Sequence, residues 1–450
     1  MKRETCGRHQ MHRRHFLLGA ASAAGFHLLR AHADAEVVSR QVTPRGTARA
    51  CIFINLNGGP SHLDTFTPKD GPWNPPDADL QGYPGGIVLS RRFFPKLSQI
   101  TSDLCILRSL VSWEAAHERG QFYLQTAHPS NPAFAQETPH IGAVICRELG
   151  KPNLPLPPFL SFYSGGQQGA AFLGGRVAPL MPTPNRAGLA TLEHNYHGSA
   201  AASRSRFDQK FALLEALDRP LRQNPFDASM AAYAAFYDSA RQMMYNEEIA
   251  RVFRFSADDE GRYGATAIGR GLILARNAVQ AKNGAVFINV TMGGWDTHQQ
   301  MFDTSYSPNM YTLTNDLDRA VGALVEDLKA SGDFRSTLIV MMGEFGRTPG
   351  VLNSRGGRDH HKNAMCAALL GGGVKGGQII GDQSPDGSTI VSPGWKADRA
   401  IYTEDVAATI FSALGIDWTK SITDTPSGRR FEYIPYASEG IYMPVNEVFG

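Results

Sequence analysis

Cysteine is scarce, five residues in 450. Cys6 lies in the amino-terminal segment. Cys51, Cys105, Cys146 and Cys366 are far apart in apolar surroundings. That pattern predicts buried thiols and excludes a disulfide framework or a thiolate metal site. Charge of one sign is also missing. The 44 Lys and Arg nearly balance the 42 Asp and Glu, for a net charge of +2. No basic cluster follows the first residues, so nucleic acid is not an expected partner. Beyond the amino terminus no stretch approaches the roughly 18 apolar residues of a membrane span. Repeats, heptads and low-complexity tracts are absent. What remains is a globular composition long enough for one elaborated domain or two.

The amino terminus has a different grammar. Arg13-Arg14 precedes an apolar stretch from Phe16 to Leu29, and Ala31-His32-Ala33 supplies a small-x-small site. This order predicts a twin-arginine export signal over 1–33, cut near Ala33, and a periplasmic or secreted protein. The remaining alternative is a short helix of the mature chain.

Several apolar runs end in glycine and polar groups. Val286–Val290 leads into Gly293-Gly294-Trp295-Asp296-Thr297-His298. Asp296 and His298 thus follow the carboxyl end of a predicted strand, the edge where open α/β sheets bind ligands. A carboxylate and an imidazole two residues apart can converge on one cation. An Asx-turn with a hydrogen-bonded histidine is the plainer reading. Ala50–Leu56 likewise predicts a central strand, followed by Asn57-Gly58-Gly59-Pro60-Ser61-His62-Leu63-Asp64-Thr65-Phe66. A simple turn needs the Gly and Pro but not the Ser61, His62 and Asp64 that accompany them. Gly356-Gly357-Arg358-Asp359-His360-His361 is a third such loop. Its adjacent imidazoles alternate if the backbone is extended, so one can meet metal and the other substrate.

Other segments predict the frame. Leu104–Leu110, Phe159–Tyr163, Ser336–Met342 and Ala364–Leu370 read as strands. Segments 136–149, 207–217, 228–251, 265–281, 311–330 and 403–414 read as helices. On 311–330, Leu313, Leu317, Ala320, Val321, Leu324 and Leu328 form one apolar stripe, and Asp318 is expected among the solvated or flanking charges. Met230 and Tyr233 are expected to pack. The strand–helix–strand order from Val286 to Met342 predicts parallel neighbours. Residues 50–450 are expected to form the main domain, with 151–262 a mostly helical insertion able to cap the site.

Four ordered motifs carry a resemblance: the Asn57–Phe66 loop, Gly293–His298, Gly343-Glu344-Phe345-Gly346-Arg347-Thr348-Pro349 and Gly357–His361. Together they resemble the domain-of-unknown-function family fifteen-hundred-and-one, grouped with the alkaline phosphatase and sulfatase superfamily. The resemblance implies an α/β three-layer sandwich around a mainly parallel sheet. It also implies an exported metal-dependent hydrolase of phosphate or sulfate esters, small-molecule or polysaccharide. Sulfatases carry a Cys or Ser nucleophile nine residues before a Thr-Gly pair. Counting back from Thr126 gives His117, with Ala127 in place of Gly. His117 is therefore the candidate for direct chemistry, as nucleophile, acid/base or ligand, with Ser61 and Ser112 in reserve. Relatives place Asp-His-Gly where this chain has Glu344-Phe345-Gly346, so one imidazole is lost. The implied ligands of a divalent zinc, manganese or calcium ion are Asp296, His298, Glu344, His360 and His361, then Asp64 and His62. Arg347 either clamps an anionic oxygen or pairs with Glu344. The missing hydroxyl and imidazole leave a second expectation, a non-catalytic binding or assembly protein on the same fold.

Overall fold

The computed structural model describes residues 41–151, 153–189, 199–224, 237–238 and 240–450. The export segment, Met230, Tyr233 and part of the 228–251 helix fall outside the described residues. The framework is a seven-stranded sheet. In chain order its strands are β1 (Ala50–Leu56), β2 (Cys105–Leu110), β3 (Phe159–Phe162), β4 (Phe287–Met292), β5 (Thr337–Met342), β6 (Met365–Gly371) and β7 (Gln378–Ile380). Across the sheet they run β7-β2-β6-β5-β1-β4-β3. Every pairing is parallel except the two that β6 makes.

Side chains alternate between the two faces. Ile52, Ile54 and Leu56 enter one apolar core, and Cys51 and Phe53 the other. The helices whose bounds lie among the described residues are α1 (His117–Thr126), α2 (Ile141–Leu149), α3 (Ala200–Gln223), α4 (Glu247–Val252), α5 (Ala257–Tyr263), α6 (Ala267–Ala281), α7 (Met310–Ser331) and α8 (Thr403–Ala413). Helices α6 and α7 cover the first face, and α2 and α8 the second, giving three layers. Strands apolar on both sides are what a doubly covered sheet requires. The four described cysteines are buried free thiols. No described helix is long and apolar enough to cross a membrane.

Helix α7 shows the local logic. Asn309 caps its start by accepting from Thr312 N, and Gly332, at φ 78°, ends it. All six stripe residues are buried, each large one worth roughly 1.5–3 kcal/mol. Asp318 is not solvated. It is 1% exposed and accepts from the backbone N–H groups of Lys96 and Leu97. Helix α2 starts at Ile141, with its apolar face and later than the expected start at 136. Pro139 favours extended backbone at Thr138, and His140 caps the new start through Gly142 N.

The β4–α7–β5 unit is parallel, but its strands are not neighbours. β1 lies between them and pairs with both. A strand fully buried on both faces is best satisfied at the centre of the sheet. This order brings the carboxyl ends of β1, β4 and β5 side by side. Because β6 runs the other way, residues preceding it reach the same edge. Residues following β2 reach it too, and enter α1.

Candidate metal centre

Two glycine turns let the β1 and β4 loops touch. Gly58 has φ 118°, and a Cβ there would come 2.5 Å from Asp296 N. Only glycine tolerates that conformation and that approach. Asp296 and His298 then project from the loop after β4. His117 opens α1, and His360 lies on a short bridge beside Arg347.

These four side chains meet. One ligand atom from each of His117, Asp296, His298 and His360 lies within 4.8 Å of all the others. Asp296 Oδ1 is 3.1 Å from His117 Nε2, 3.0 Å from His298 Nε2 and 3.7 Å from His360 Nε2. His298 Nε2 and His360 Nε2 are 3.0 Å apart. No other described group of three or more His, Cys, Asp or Glu residues converges in this way.

Each ring is held from behind. His117 Nδ1 donates to Glu344 Oε1 at 2.7 Å, His298 Nδ1 to Asp359 Oδ1 at 2.7 Å, and His360 Nδ1 to the Ala115 carbonyl at 2.7 Å. A carboxylate or carbonyl has no proton to give, so each Nδ1 carries the hydrogen. In the neutral rings the Nε2 atoms of His117 and His360 therefore present lone pairs to the same point, and that of His298, beside them, accepts from Arg347 Nη1 at 3.2 Å. His117 Nε2 is buried without a hydrogen-bond partner. The lone pairs of His117 and His360 and the Asp296 oxygen face one another and repel unless positive charge stands among them, and the Arg347 guanidinium meets Asp296 and His298 from one side only. The set fits a divalent ion, with the backing acceptors in the orienting role such sites use. The four side chains are 25–48% exposed, so the cluster opens to solvent.

Charge around the cluster follows from these contacts. The hydrogen bond to Glu344 raises the His117 pKa, against burial and with help from Asp296. Burial lowers that of His360, and the Arg347, His117 and His298 charges add to the effect. For Asp296 burial pushes upward, but the Arg347 hydrogen bond and neighbouring cations outweigh it and the carboxyl is lowered. The hydrogen bond from His298 lowers Asp359.

The remaining expected residues are not among the converging atoms, although Glu344 and Arg347 touch them. Glu344 is 2% exposed, and its oxygens accept from His117, Gly58 N and Gln121. It stands behind His117 rather than among the converging atoms. Arg347 is fully buried and does not pair with Glu344. Its Nε donates to Gly59 O at 2.8 Å, Nη1 reaches Arg358 O at 3.1 Å and His298 Nε2 at 3.2 Å, and Nη2 bonds Gly58 O and Asp296. All five donors are occupied, which leaves none to clamp an anion. Ser61 Oγ donates to Asp64 Oδ2 at 2.5 Å, and Asp64 pairs with buried Arg358 at 2.7 Å. His62 is buried on the Gly387 carbonyl, and burial lowers its pKa to about 3. His361 faces away from His360, reaching Ser388 O and stacking on His62. Ser112 Oγ donates to the Glu344 carbonyl.

Asp359, Gln121 and the Ala115 carbonyl were not singled out in the sequence. Asp359 had a signal as the carboxylate of the Gly357–His361 loop, because a metal-type imidazole needs an acceptor on its other nitrogen, but it backs His298 and not the adjacent His360. Gln121 and Ala115 become partners only through tertiary contact.

Three solved structures illustrate what the backbone is similar to. A sulfatase, PsFucS1, from Pseudoalteromonas sp. is 13% identical, with 90% of this chain and 76% of that one covered, at a TM-score of 0.39. A protein in the alkaline phosphatase superfamily from Vibrio parahaemolyticus is 12% identical, with 85% and 71% covered, at 0.39. The phosphonate monoester hydrolase SpPMH from Silicibacter pomeroyi is 13% identical, with 82% and 74% covered, at 0.38. No curated protein sequence matches. The family model described as "Protein of unknown function (DUF1501)" matches residues 48–435, and the chain belongs to that family.

Proposed function

We propose that the protein is an exported, metal-dependent hydrolase of phosphate or sulfate esters, working in the periplasm or outside the cell. The observation that carries this reading is the convergence of three imidazole Nε2 atoms and Asp296 Oδ1, each Nδ1 committed to an acceptor. His117, Asp296, His298 and His360 would hold the ion. Three nitrogens and one oxygen suit zinc or manganese. They do not suit calcium, which takes oxygen ligands. When bound, the ion supplies Lewis acidity toward an ester oxygen.

The protein's own groups do the rest. Glu344, Asp359 and the Ala115 carbonyl keep the rings in one tautomer and one orientation. Arg347 fixes the Asp296 carboxylate and ties the β1 loop to it. The location at the carboxyl edge of the sheet, open to solvent, is where a substrate can reach the cluster. The twin-arginine segment supports export, and the ordered motifs support ester chemistry.

A panel of phosphate and sulfate esters tests this, using zinc- and manganese-loaded protein beside protein stripped with chelator. Turnover should vanish on stripping, return with metal and be lost in Asp296→Ala. Complete absence of turnover, with ligand affinity retained, would favour an exported binding or assembly protein. The occupied donors of Arg347 and the hydrogen-bonded state of Ser61 are the observations on that side.

A further inference from the structure

The segment between β2 and α1 carries an aromatic surface that the metal cluster does not use. Trp113 keeps 42% of its surface exposed. One face lies on Tyr402, with ring centroids 4.4 Å apart and planes 14° apart. Tyr402 is backed in turn by Tyr442, edge-on at 6.2 Å, and by the Arg399 guanidinium. The indole N–H donates to Glu404 Oε1 at 3.1 Å, and the same oxygen accepts from the Tyr123 hydroxyl at 2.5 Å. Glu404 is 1% exposed, and its Oε2 has no partner. Burying an incompletely satisfied carboxyl group is costly. Here that cost accompanies an indole fixed at its edge and supported on one face.

The platform lies beside the cluster. Ala115, whose carbonyl holds His360 Nδ1 at 2.7 Å, is two residues beyond Trp113. Their Cα atoms are thus within about 7 Å of one another. His117 is two residues further on. The neighbouring Glu114 and Arg119 pair at 2.8 Å, and the Arg119 side chain is 55% exposed.

We propose that Trp113, supported by Tyr402, stacks against the apolar face of a pyranose ring in the alcohol part of the ester. It would thereby select sugar esters, an assignment that rests on the hydrolase reading. A large aromatic face takes the C–H face of such a ring, while the ring hydroxyls stay free for polar groups at the edge. Glu114 and Arg119, which follow in the same segment and pair with each other, would supply a carboxylate and a guanidinium there. A ring-free alkyl ester uses neither feature, and an aryl ester leaves the polar edge unused.

Calorimetry on zinc-loaded full-length protein tests this. The ligands are the 6-phosphates and 6-sulfates of glucose, galactose and N-acetylglucosamine, with glycerol 3-phosphate, 2-hydroxyethyl sulfate and phenyl phosphate for comparison. At least one sugar ester should bind tenfold or more tighter than both ring-free esters and phenyl phosphate. Trp113→Ala should erase that preference and leave the ring-free esters unchanged. Trp113→Phe, with a smaller ring, should be intermediate. Zinc uptake and thermal midpoint establish that each variant is folded. A sugar preference that survives Trp113→Ala, its absence in the native chain, or equal Trp113-dependent binding of phenyl phosphate would overturn the assignment while leaving the hydrolase reading intact. No affinity for any of these esters would overturn both.

Discussion

Glu344 Oε1 lies 2.7 Å from His117 Nδ1, inside the protein, while His117 Nε2 faces Asp296. The carboxylate therefore sets which ring nitrogen carries the proton and which one offers a lone pair. Glu344→Gln keeps the size but removes the charge, and its amide can turn a donor toward the ring. Zinc affinity, measured by chelator competition, should fall about 10–100-fold. Unchanged affinity would mean that Glu344 is not part of the centre.

The same pair sets a dependence on pH. The His117 pKa is raised, so in the metal-free fold this residue holds its proton above the ordinary imidazole range. Its contribution to metal-free stability is full below the unfolded pKa and is lost as pH rises through the folded one. Metal binding has the opposite sign, because the ion must displace that proton. Zinc affinity should rise with pH across this window, with proton release visible by calorimetry in buffers of different ionisation enthalpy. Glu344→Gln should move the window to lower pH.

Asp318 gives a separate pH signature, remote from metal. Burial raises its carboxyl to about 6 despite the two backbone donors. Stability should therefore fall as pH rises between the unfolded value near 4 and the folded value, since the ionised form is the penalised one. The full effect is about 2–3 kcal/mol. Denaturant titrations at pH 4 and pH 7 should show this slope in the native chain and a flatter one in Asp318→Asn.

Asp64 belongs to a buried ion pair with Arg358, both side chains at most 2% exposed. Asp64→Ala strands a buried guanidinium and should cost about 3–5 kcal/mol. At temperatures where the variant is folded, its metal content should match the native chain. Loss of metal without loss of stability would place Asp64 at the ion.

Much of the frame was visible in local pattern. The apolar runs at Ala50, Phe287 and Thr337 are strands, and the Leu313–Leu328 stripe is a buried helix face. Sheet order was not, because the insertion of β1 between β4 and β5 and the reversal of β6 depend on pairing between distant segments. The gathering of Asp296, His298, His117 and His360 follows from strand ends that periodicity locates. The division between groups facing one point and groups standing behind them does not. Glu344 and His62 carry the same chemistry as the clustered residues but are turned into the interior, and only packing decides that. The alternation that separates His360 from His361 was legible, being a property of extended backbone.

Metal content of the folded protein is the most direct test of the central assignment. Native protein purified without added chelator, then supplied with zinc or manganese, should hold one divalent ion per chain by elemental mass spectrometry. Asp296→Ala, His298→Ala and His360→Ala should each lose most of it while keeping the native circular dichroism. A native chain that takes up neither metal between about pH 7 and 8, where neutral imidazole is available, would contradict the metal centre and the hydrolase built on it.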